Sequence, residues 1–269
     1  MSVALPPGAE IAIKRSLFDQ LLMERASEAG AEVRDGVTVT ALSPPQSESD
    51  GWKVTANQQI IRARALVAAD GRNSTVARLL GLLPRIGKER VALQTHLPLP
   101  PNFGERVVLQ FLPEGYSGQA PVGDGQLNLC LVGQPGSIPA LRRWAEERFG
   151  VPRDHTWRTI TPLRRAAIAP AQPRAFLVGD VAHVVEPFTG EGIYYALRSG
   201  ELAAEAMTRD EATATRNYAA AHARLYRGRL WVNRIARTAV LAPRITSALL
   251  RGGILPAALL RALTTKIVP

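Results

Sequence analysis

The spacing of apolar side chains changes several times along this chain, and each change marks an element. Over residues 16–29 the apolar positions include Leu17, Leu21 and Met23 at helical spacing, and Gly30 follows, so the pattern predicts a helix that stops at a glycine. From Glu32 to Leu42 the period drops towards two, with Val33, Val37 and Val39 set among polar residues, and Trp52–Thr55 and Gln59–Arg62 add two short strands. Residues 43–51, SPPQSESDG, carry the turn formers that separate them. A small β-meander is the expectation. Leu66–Ala69 is instead an uninterrupted apolar run, as in a buried strand, and it leads through Asp70-Gly71 into a helix over Thr75–Leu80.

Strict alternation returns in VALQTHL, RVVLQFL and QLNLCLV between Val91 and Val132, separated by turns containing Pro, Gly and Asn. That predicts an antiparallel sheet forming a layer of its own. Ser137–Phe149 reads as a helix, and Trp157–Ile168 brings the chain back to the first domain. There Phe176-Leu177-Val178 lies between Pro173 and Gly179-Asp180, the pattern of a short strand inside a parallel sheet. Asp180 then stands at the carboxyl end of that strand, the edge where open α/β sheets bind ligands. Gly190-Glu191-Gly192 opens a helix-forming stretch over Ile193–Met207, so free backbone N–H groups and a positive dipole end face the same crevice. An electron-rich ring or an anion suits that position.

The run GDVAHVVEPFTGEGIYYALRSGE, residues 179–201, resembles the second flavin-binding motif of FAD-dependent oxidoreductases in the geranylgeranyl reductase and p-hydroxybenzoate hydroxylase superfamily. TGEGIYYALRSGE is closest to the reductases, and GD-x-AH is more typical of the aromatic hydroxylases. Two further segments fall in the same order. LVAADGRNS, residues 66–74, resembles the DG fingerprint near the flavin pyrophosphate, and RSLFDQLL, residues 15–22, resembles the helix start whose arginine reaches the cofactor. The resemblance implies FAD as cofactor, with contacts from Arg15, Val39, Asp70, Gly71, Asp180, Gly190, Gly192 and Ile193, and a substrate pocket that includes Tyr116, Pro187 and Tyr194.

The fold class that follows is α/β: an incomplete FAD-binding parallel-sheet domain, an inserted antiparallel substrate layer and C-terminal helices. Its expected limits are 1–90 and 157–208 for the FAD-binding domain, 91–156 for the inserted layer and 209–269 for the basic C-terminal helices. It is incomplete because the superfamily opens with a βαβ unit carrying G-x-G-x-x-G, and no such string occurs in these 269 residues. The expectation is that the dinucleotide unit lies upstream of Met1 in a longer protein, or that the chain is a fragment. The implied activity is double-bond reduction or hydroxylation of a small apolar substrate, isoprenoid or aromatic, with NAD(P)H or another reductant as electron donor. An aromatic monooxygenase proper is the alternative. The reductases carry a Tyr-x-Trp-x-Phe-Pro stretch beside the flavin; here GYSGQAP, residues 115–121, keeps Gly, Tyr and Pro but has Gly118 and Ala120 in place of the two large rings.

Composition narrows the remaining classes. One cysteine, Cys130, excludes an internal disulfide and a cysteine-based metal site, and the histidines show no metal-ligand spacing, so no metal is expected. There is no G-x-S-x-G elbow and no P-loop, which leaves hydrolase and NTPase readings without a basis. His183 reads as structural rather than as a proton carrier. The net charge of +10 is concentrated after residue 210, where ten Lys and Arg stand against Glu211 alone. Zinc-ligand and RNP strings are absent, so nucleic acid is not the expected partner. Leu241, Ile245 and Leu249, and again Leu255, Leu259 and Leu263, form stripes, the first bordered by Arg237, Arg244 and Arg251, the pattern of a peripheral membrane helix or of a helix pair packed on the body. No signal peptide and no bilayer-length apolar run is visible, so the expected location is cytoplasmic, with peripheral membrane contact possible, and a non-catalytic role through the basic tail is the reading of another class.

Overall fold

The structure is a computed structural model in which residues 12–47, 49–84, 90–187 and 190–227 are described, with isolated positions from 238 to 248 beyond them. The C-terminal stripes at 241–249 and 255–263, with their arginine border, therefore lie outside the described residues apart from those isolated positions. The chain divides into two compact units: Met1–Val33, Lys88–Leu163 and Val232–Pro269 form one, and Arg34–Gly87 with Arg164–Trp231 the other.

In the second unit the meander is present as β1 (Val39–Ser43), β2 (Trp52–Ala56) and β3 (Gln59–Ala63), paired antiparallel in that order. Asn57 and Gln58 link β2 to β3 with φ of 46° and 67°, the left-handed pair that a two-residue hairpin of matching twist requires. The strand expected from Glu32 begins only at Val39. The reason is Asp35-Gly36, where Gly36 has φ +66° and donates its N–H to Asp35 Oδ1 at 2.7 Å, a turn that leaves Val33 and Val37 exposed.

A second sheet holds β4 (Leu66–Ala68) and β11 (Ala175–Leu177) in parallel, with β10 (Ala171–Gln172) antiparallel on the far side of β11. Every residue of β11 is buried because both of its faces are covered. Leu177 packs with Ala68, Val181 and the residues Val76 and Ala77 of α2 (Thr75–Leu79). Phe176 and Val178 pack with Ala203 and Ala206 of α4 (Gly192–Arg209) and with Ala214 and Tyr218 of α5 (Ala214–Tyr226). Burial on two sides is why this strand reads as a continuous apolar run. Tyr218 sets its ring edge-on to Phe176 and donates its hydroxyl to the Leu177 carbonyl at 2.7 Å, so α5 is tied to the strand by packing and by a buried hydrogen bond.

The first unit is a five-stranded antiparallel sheet in the order β6-β7-β8-β5-β9. Its strands are β5 (Val91–Pro98), β6 (Val108–Leu112), β7 (Gly115–Pro121), β8 (Gln126–Gly133) and β9 (Arg158–Ile160). Alternation located three of them. It did not locate β7, whose GYSGQAP places Ser117 and Gln119 inward, where Gln119 donates to Ser117 Oγ at 2.7 Å. Nor does the chain leave this unit at Trp157, because Arg158–Ile160 pairs with β5 and the unit boundary falls after Leu163. One face of the sheet packs against α3 (Ile138–Phe149), joining Leu93, Leu97, Leu129 and Leu131 to Leu141 and Ala145. The first helix, α1 (Arg15–Glu28), forms as the spacing predicts, yet Leu17, Leu21 and Met23 are exposed and none of its residues is buried.

Replacing Tyr218 by Phe removes the hydroxyl from a buried carbonyl while keeping the ring. We expect unfolding free energy to fall by about 1 kcal/mol, seen as a lower urea midpoint at unchanged slope. An unchanged midpoint would mean that the Leu177 carbonyl loses nothing when the hydroxyl is removed.

Candidate functional site

Beyond β11 the chain tightens into a single 3-10 turn, Gly179–Val181, and the geometry of that turn places the candidate site. Gly179 has φ +55°, and a Cβ there would lie 3.0 Å from Ala196 Cβ and 3.1 Å from Ala196 Cα. Only glycine allows the turn and helix α4 to meet so closely. The Gly179 N–H donates to Ser199 Oγ at 2.8 Å, and the Ser199 hydroxyl donates onward to the Tyr195 carbonyl at 2.6 Å. Turn and helix are thus fixed together one residue before Asp180.

Asp180 is half-buried and its Oδ2 lies 3.2 Å from Arg72 Nη2. Arg72 follows β4 in the turn that begins at Asp70. The carboxylate of Asp70, which the resemblance places near the flavin pyrophosphate, accepts within its own turn from Ser74 Oγ at 2.6 Å and from the Val76 N–H at 3.1 Å. Ser74 Oγ in turn accepts from the Ala77 N–H at 2.8 Å and caps α2. Gly71, at φ +77°, lets the chain swing between them. Asp70 and Gly71 therefore shape the loop that presents Arg72 to Asp180.

A second guanidinium stands behind the turn. Arg165 is buried, and its Nη2 donates to the carbonyl oxygens of Asp180 and Val181, while its Nε and Nη1 find no hydrogen-bond partner among the described residues. Burial lowers its pKa and the nearby Asp180 opposes that shift. Sequence reasoning passed over Arg165. Its only signal is an arginine pair, Arg164-Arg165, in a segment about to become buried strand.

The start of α4 is open. Gly190 has φ +74° and donates its N–H to the Pro187 carbonyl at 3.2 Å, and a Cβ added at Gly190 or Gly192 would meet nothing within 4 Å. Among the described residues no side chain caps the helix and its first turn carries no acid, so the start of this 18-residue helix offers backbone N–H groups of the kind that receive an anionic or electron-rich ligand. Ile193 is exposed there, and Tyr194 and Pro187 are half-buried. Tyr195 is fully buried and directs its hydroxyl to Glu191 Oε1 at 3.3 Å. An uncapped helix end flanked by open glycines, in the unit where two guanidiniums hold the Asp180 turn, fits a flavin: backbone donors for an electron-rich ring edge and a carboxylate for hydroxyls. Val39 belongs to the same unit but lies in the meander, paired with Ala56 ahead of a bulge. Arg15 and Tyr116 belong to the other unit. There Arg15 holds Asp19 through two hydrogen bonds of 2.8 and 2.9 Å on exposed α1, and buried Tyr116 lies in β7 opposite Val132.

His183 has a packing role. Its ring stacks on Tyr226 at 4.4 Å between centroids, and Tyr226 stacks on Tyr195 at 4.5 Å, each pair within 11° of parallel. Burial and then Arg165 lower the His183 pKa, against the pull of Asp180. No group of residues able to hold a metal ion occurs among the described residues. No helix among them is long and apolar enough to cross a membrane.

Comparison with known proteins agrees with this geometry. Residues 5–103 match the FAD binding domain family. The digeranylgeranylglycerophospholipid reductase of Methanosphaerula palustris is 30% identical over 220 residues, 72% of this chain and 52% of that protein. The menaquinone reductase of Mycolicibacterium smegmatis is 29% identical over 226 residues, 75% of this chain and 55% of its own length. The chain thus spans about half the length of these curated relatives. Among solved structures, a geranylgeranyl bacteriochlorophyll reductase-like protein from Thermoplasma acidophilum superposes with a TM-score of 0.64 at 24% identity, covering 84% of this chain and 63% of that one. A probable FAD-dependent monooxygenase from Pseudomonas aeruginosa gives 0.68 at 21% identity, over 88% and 72%. At these identities the structures establish a shared fold.

The buried histidines set a pH dependence. Burial, and secondarily His183, lowers His222 from an ordinary 6.5 to about 4, so the folded protein keeps it neutral where the unfolded chain protonates it. Stability contributed by His222 is whole above pH 6.5 and is lost as pH falls towards 4. Between pH 7 and 4.5 wild type should lose about 2 kcal/mol more than His222→Leu, from the linkage of proton binding to folding. Parallel pH profiles of the two proteins in urea titrations would refute this.

Proposed function

We propose that the chain belongs to the FAD-dependent oxidoreductases of the geranylgeranyl reductase and p-hydroxybenzoate hydroxylase superfamily, and that the whole protein reduces a double bond of, or hydroxylates, a small apolar substrate of isoprenoid or aromatic character. The observation that carries this reading is the Asp180 turn locked against Ala196 and Ser199 of α4, a helix whose start no described side chain caps. FAD supplies hydride transfer or oxygen activation when bound, and NAD(P)H or another reductant is the proposed electron source. The residues of the chain orient and polarise. Backbone N–H groups from Gly192 onward and the helix dipole stabilise negative charge at the ring edge. Asp180 accepts from ribityl or ribose hydroxyls, Arg72 holds its carboxylate, and Arg165 holds its carbonyl, so the acid does not swing away when the site fills. Cys130, whose thiol is pushed up to about 11 by burial, stays protonated and takes no part as a nucleophile.

Hydroxylation has a specific observation in its favour. Gly118 and Ala120 leave Tyr116 as the one large ring that β7 sets on their side of the sheet, which favours room for a flat aromatic substrate. Reduction has the reductase-like wording of residues 189–201 and the names of both relatives above in support. Product analysis separates the two, because only hydroxylation consumes O2 in proportion to product.

Flavin titration tests the site itself. In the whole protein, Asp180→Ala should weaken FAD binding by about 1–3 kcal/mol, the range for removing a charge-assisted hydrogen bond and stranding its partners. Gly192→Val should weaken it at least as much by occupying the space that the backbone donors face. His183→Ala should leave binding nearly intact. If His183→Ala were the most damaging of the three, the ring would not lie at the start of α4.

A further inference from the structure

The rings behind the start of α4 form one contiguous group whose chemistry the flavin site does not use. Tyr195 lies one turn after Glu191, the i, i+4 spacing that puts two side chains on one helix face, and its hydroxyl donates to Glu191 Oε1 at 3.3 Å. Both residues are buried. The Tyr195 ring stacks on Tyr226 at 4.5 Å between centroids, Tyr226 stacks on His183 at 4.4 Å, and Tyr194 meets Tyr195 edge-on at 5.4 Å. Tyr194 is half-buried and its neighbour Ile193 is exposed, so the group reaches the open end of the helix through this ring.

Tyrosine is among the most readily oxidised side chains, but near neutral pH it gives up an electron easily only if its phenolic proton has a base to go to. The three buried tyrosines of this unit differ in that respect. Tyr218 donates to the Leu177 carbonyl and lies beside the Ser199 hydroxyl, and neither oxygen is a base. The Tyr226 hydroxyl finds no hydrogen-bond partner among the described residues. Tyr195 alone of the three faces a carboxylate. Burial sharpens the difference, because moving the proton to the carboxylate as the electron leaves removes a buried negative charge instead of creating a positive one. The stack adds to this, since a ring depleted of an electron is drawn to the electron-rich faces of its neighbours as a cation is, and burial together with Arg165 keeps His183 unprotonated.

We propose that Tyr195 is a redox-active tyrosine that holds one oxidising equivalent, with Glu191 as the base that receives its proton and Tyr194 as the ring through which the electron leaves. A one-electron oxidant at the open end of α4, an oxygen radical or a light-excited dye, takes an electron from the Tyr194 ring, and Tyr195 refills it. The Tyr195 O–H bond breaks and its proton bonds to Glu191 Oε1. The products are the neutral Tyr195 phenoxyl radical, a protonated Glu191 and the oxidant reduced by one electron. A one-electron reductant of the ascorbate class reverses the step, and the proton returns to Tyr195. The inference goes beyond the proposed function and needs no bound FAD. Its consequence is that a stray oxidising equivalent is drawn into a buried ring before it attacks the Asp180 turn.

Photo-oxidation of the chain as it stands tests this. Tris(bipyridyl)ruthenium(II) with persulfate, illuminated and then frozen, supplies the oxidant, and electron paramagnetic resonance reads the radical, with ring-deuterated tyrosine assigning it to tyrosine. The wild-type signal should outlive that of free N-acetyltyrosinamide and that of the Tyr195→Phe protein at least about tenfold, the size of effect of one charge-assisted hydrogen bond. Glu191→Gln keeps the shape and a hydrogen-bond acceptor but cannot take the proton, so its signal should be as brief as that of Tyr195→Phe. Tyr194→Phe should lower the yield and leave the lifetime unchanged, a split that a packing role would not produce. A wild-type radical that decays as fast as free N-acetyltyrosinamide would overturn the proposal without recourse to any variant. A long-lived signal in Tyr195→Phe or Glu191→Gln, or an undiminished yield in Tyr194→Phe, would overturn it too, with urea midpoints showing that each protein is folded. Because no FAD enters the experiment, its failure leaves the proposed function standing, and flavin titration tests that separately.

Discussion

The approach of Gly179 to Ala196 is the constraint from which the rest of the parallel-sheet unit follows. A strand that ends in a ligand-facing turn must hand its chain to a helix without filling the space between them, and a side chain at residue 179 would put a carbon 3.0 Å from Ala196 Cβ. Glycine solves the steric problem and leaves a backbone N–H exposed to the helix. Ser199 takes that N–H, and because its own hydroxyl proton goes to the Tyr195 carbonyl, no donor or acceptor is left stranded in the buried contact. The contact also fixes where α4 begins relative to Asp180, which is what a site assembled from a strand end and a helix start requires.

Around that contact the polar groups form a chain of supports rather than a cluster of reactants. Asp70 and Ser74 build the loop after β4, the loop delivers Arg72, and Arg72 meets Asp180. Arg165 braces the same residue from inside the fold by its carbonyl. An arginine buried there costs desolvation, visible in its lowered pKa, and two of its nitrogens remain without a partner among the described residues. Such a cost is tolerated where a backbone turn must be held to better precision than packing alone provides. The parallel stack of His183, Tyr226 and Tyr195 fills the space beside the turn, and burial lowers the pKa of His183 and raises that of Tyr226, so both rings stay neutral.

Legibility in the sequence followed how local each cause was. The buried strand 175–177, the helix from Gly192, and the meander all stand in the chain as runs or periods, and they could be read without knowing what they touch. Strand β7 could not, because its inward positions are Ser117 and Gln119, which satisfy each other by hydrogen bonding instead of by hydrophobicity. Residues 33–37 misled in the opposite way: valines at alternate positions look like strand, but Asp35-Gly36 turns the backbone between them. The site divided along the same line. Asp180, Gly190 and Gly192 were marked by their place at element ends, whereas Arg165 is defined by a contact sixteen residues away in sequence with Val181, and nothing periodic announces it.

The two units also differ in what they can specify. In the parallel-sheet unit the donors facing the crevice belong largely to the backbone, and backbone donors discriminate poorly between ligands that share a charge and a shape. The antiparallel unit presents side chains at every second position of each strand, so changing one residue changes one point of the surface without moving its neighbours. Gly118 illustrates this: it is free of the conformational demands that fix Gly179, and a Cβ there would meet Leu109 and Cys130 only at ordinary contact distances. Cofactor recognition that depends on a fold-wide constraint is hard to alter, while substrate recognition written on a sheet face is easy to alter. A chain built this way holds the backbone of its parallel-sheet unit fixed and leaves its antiparallel sheet open to change one side chain at a time.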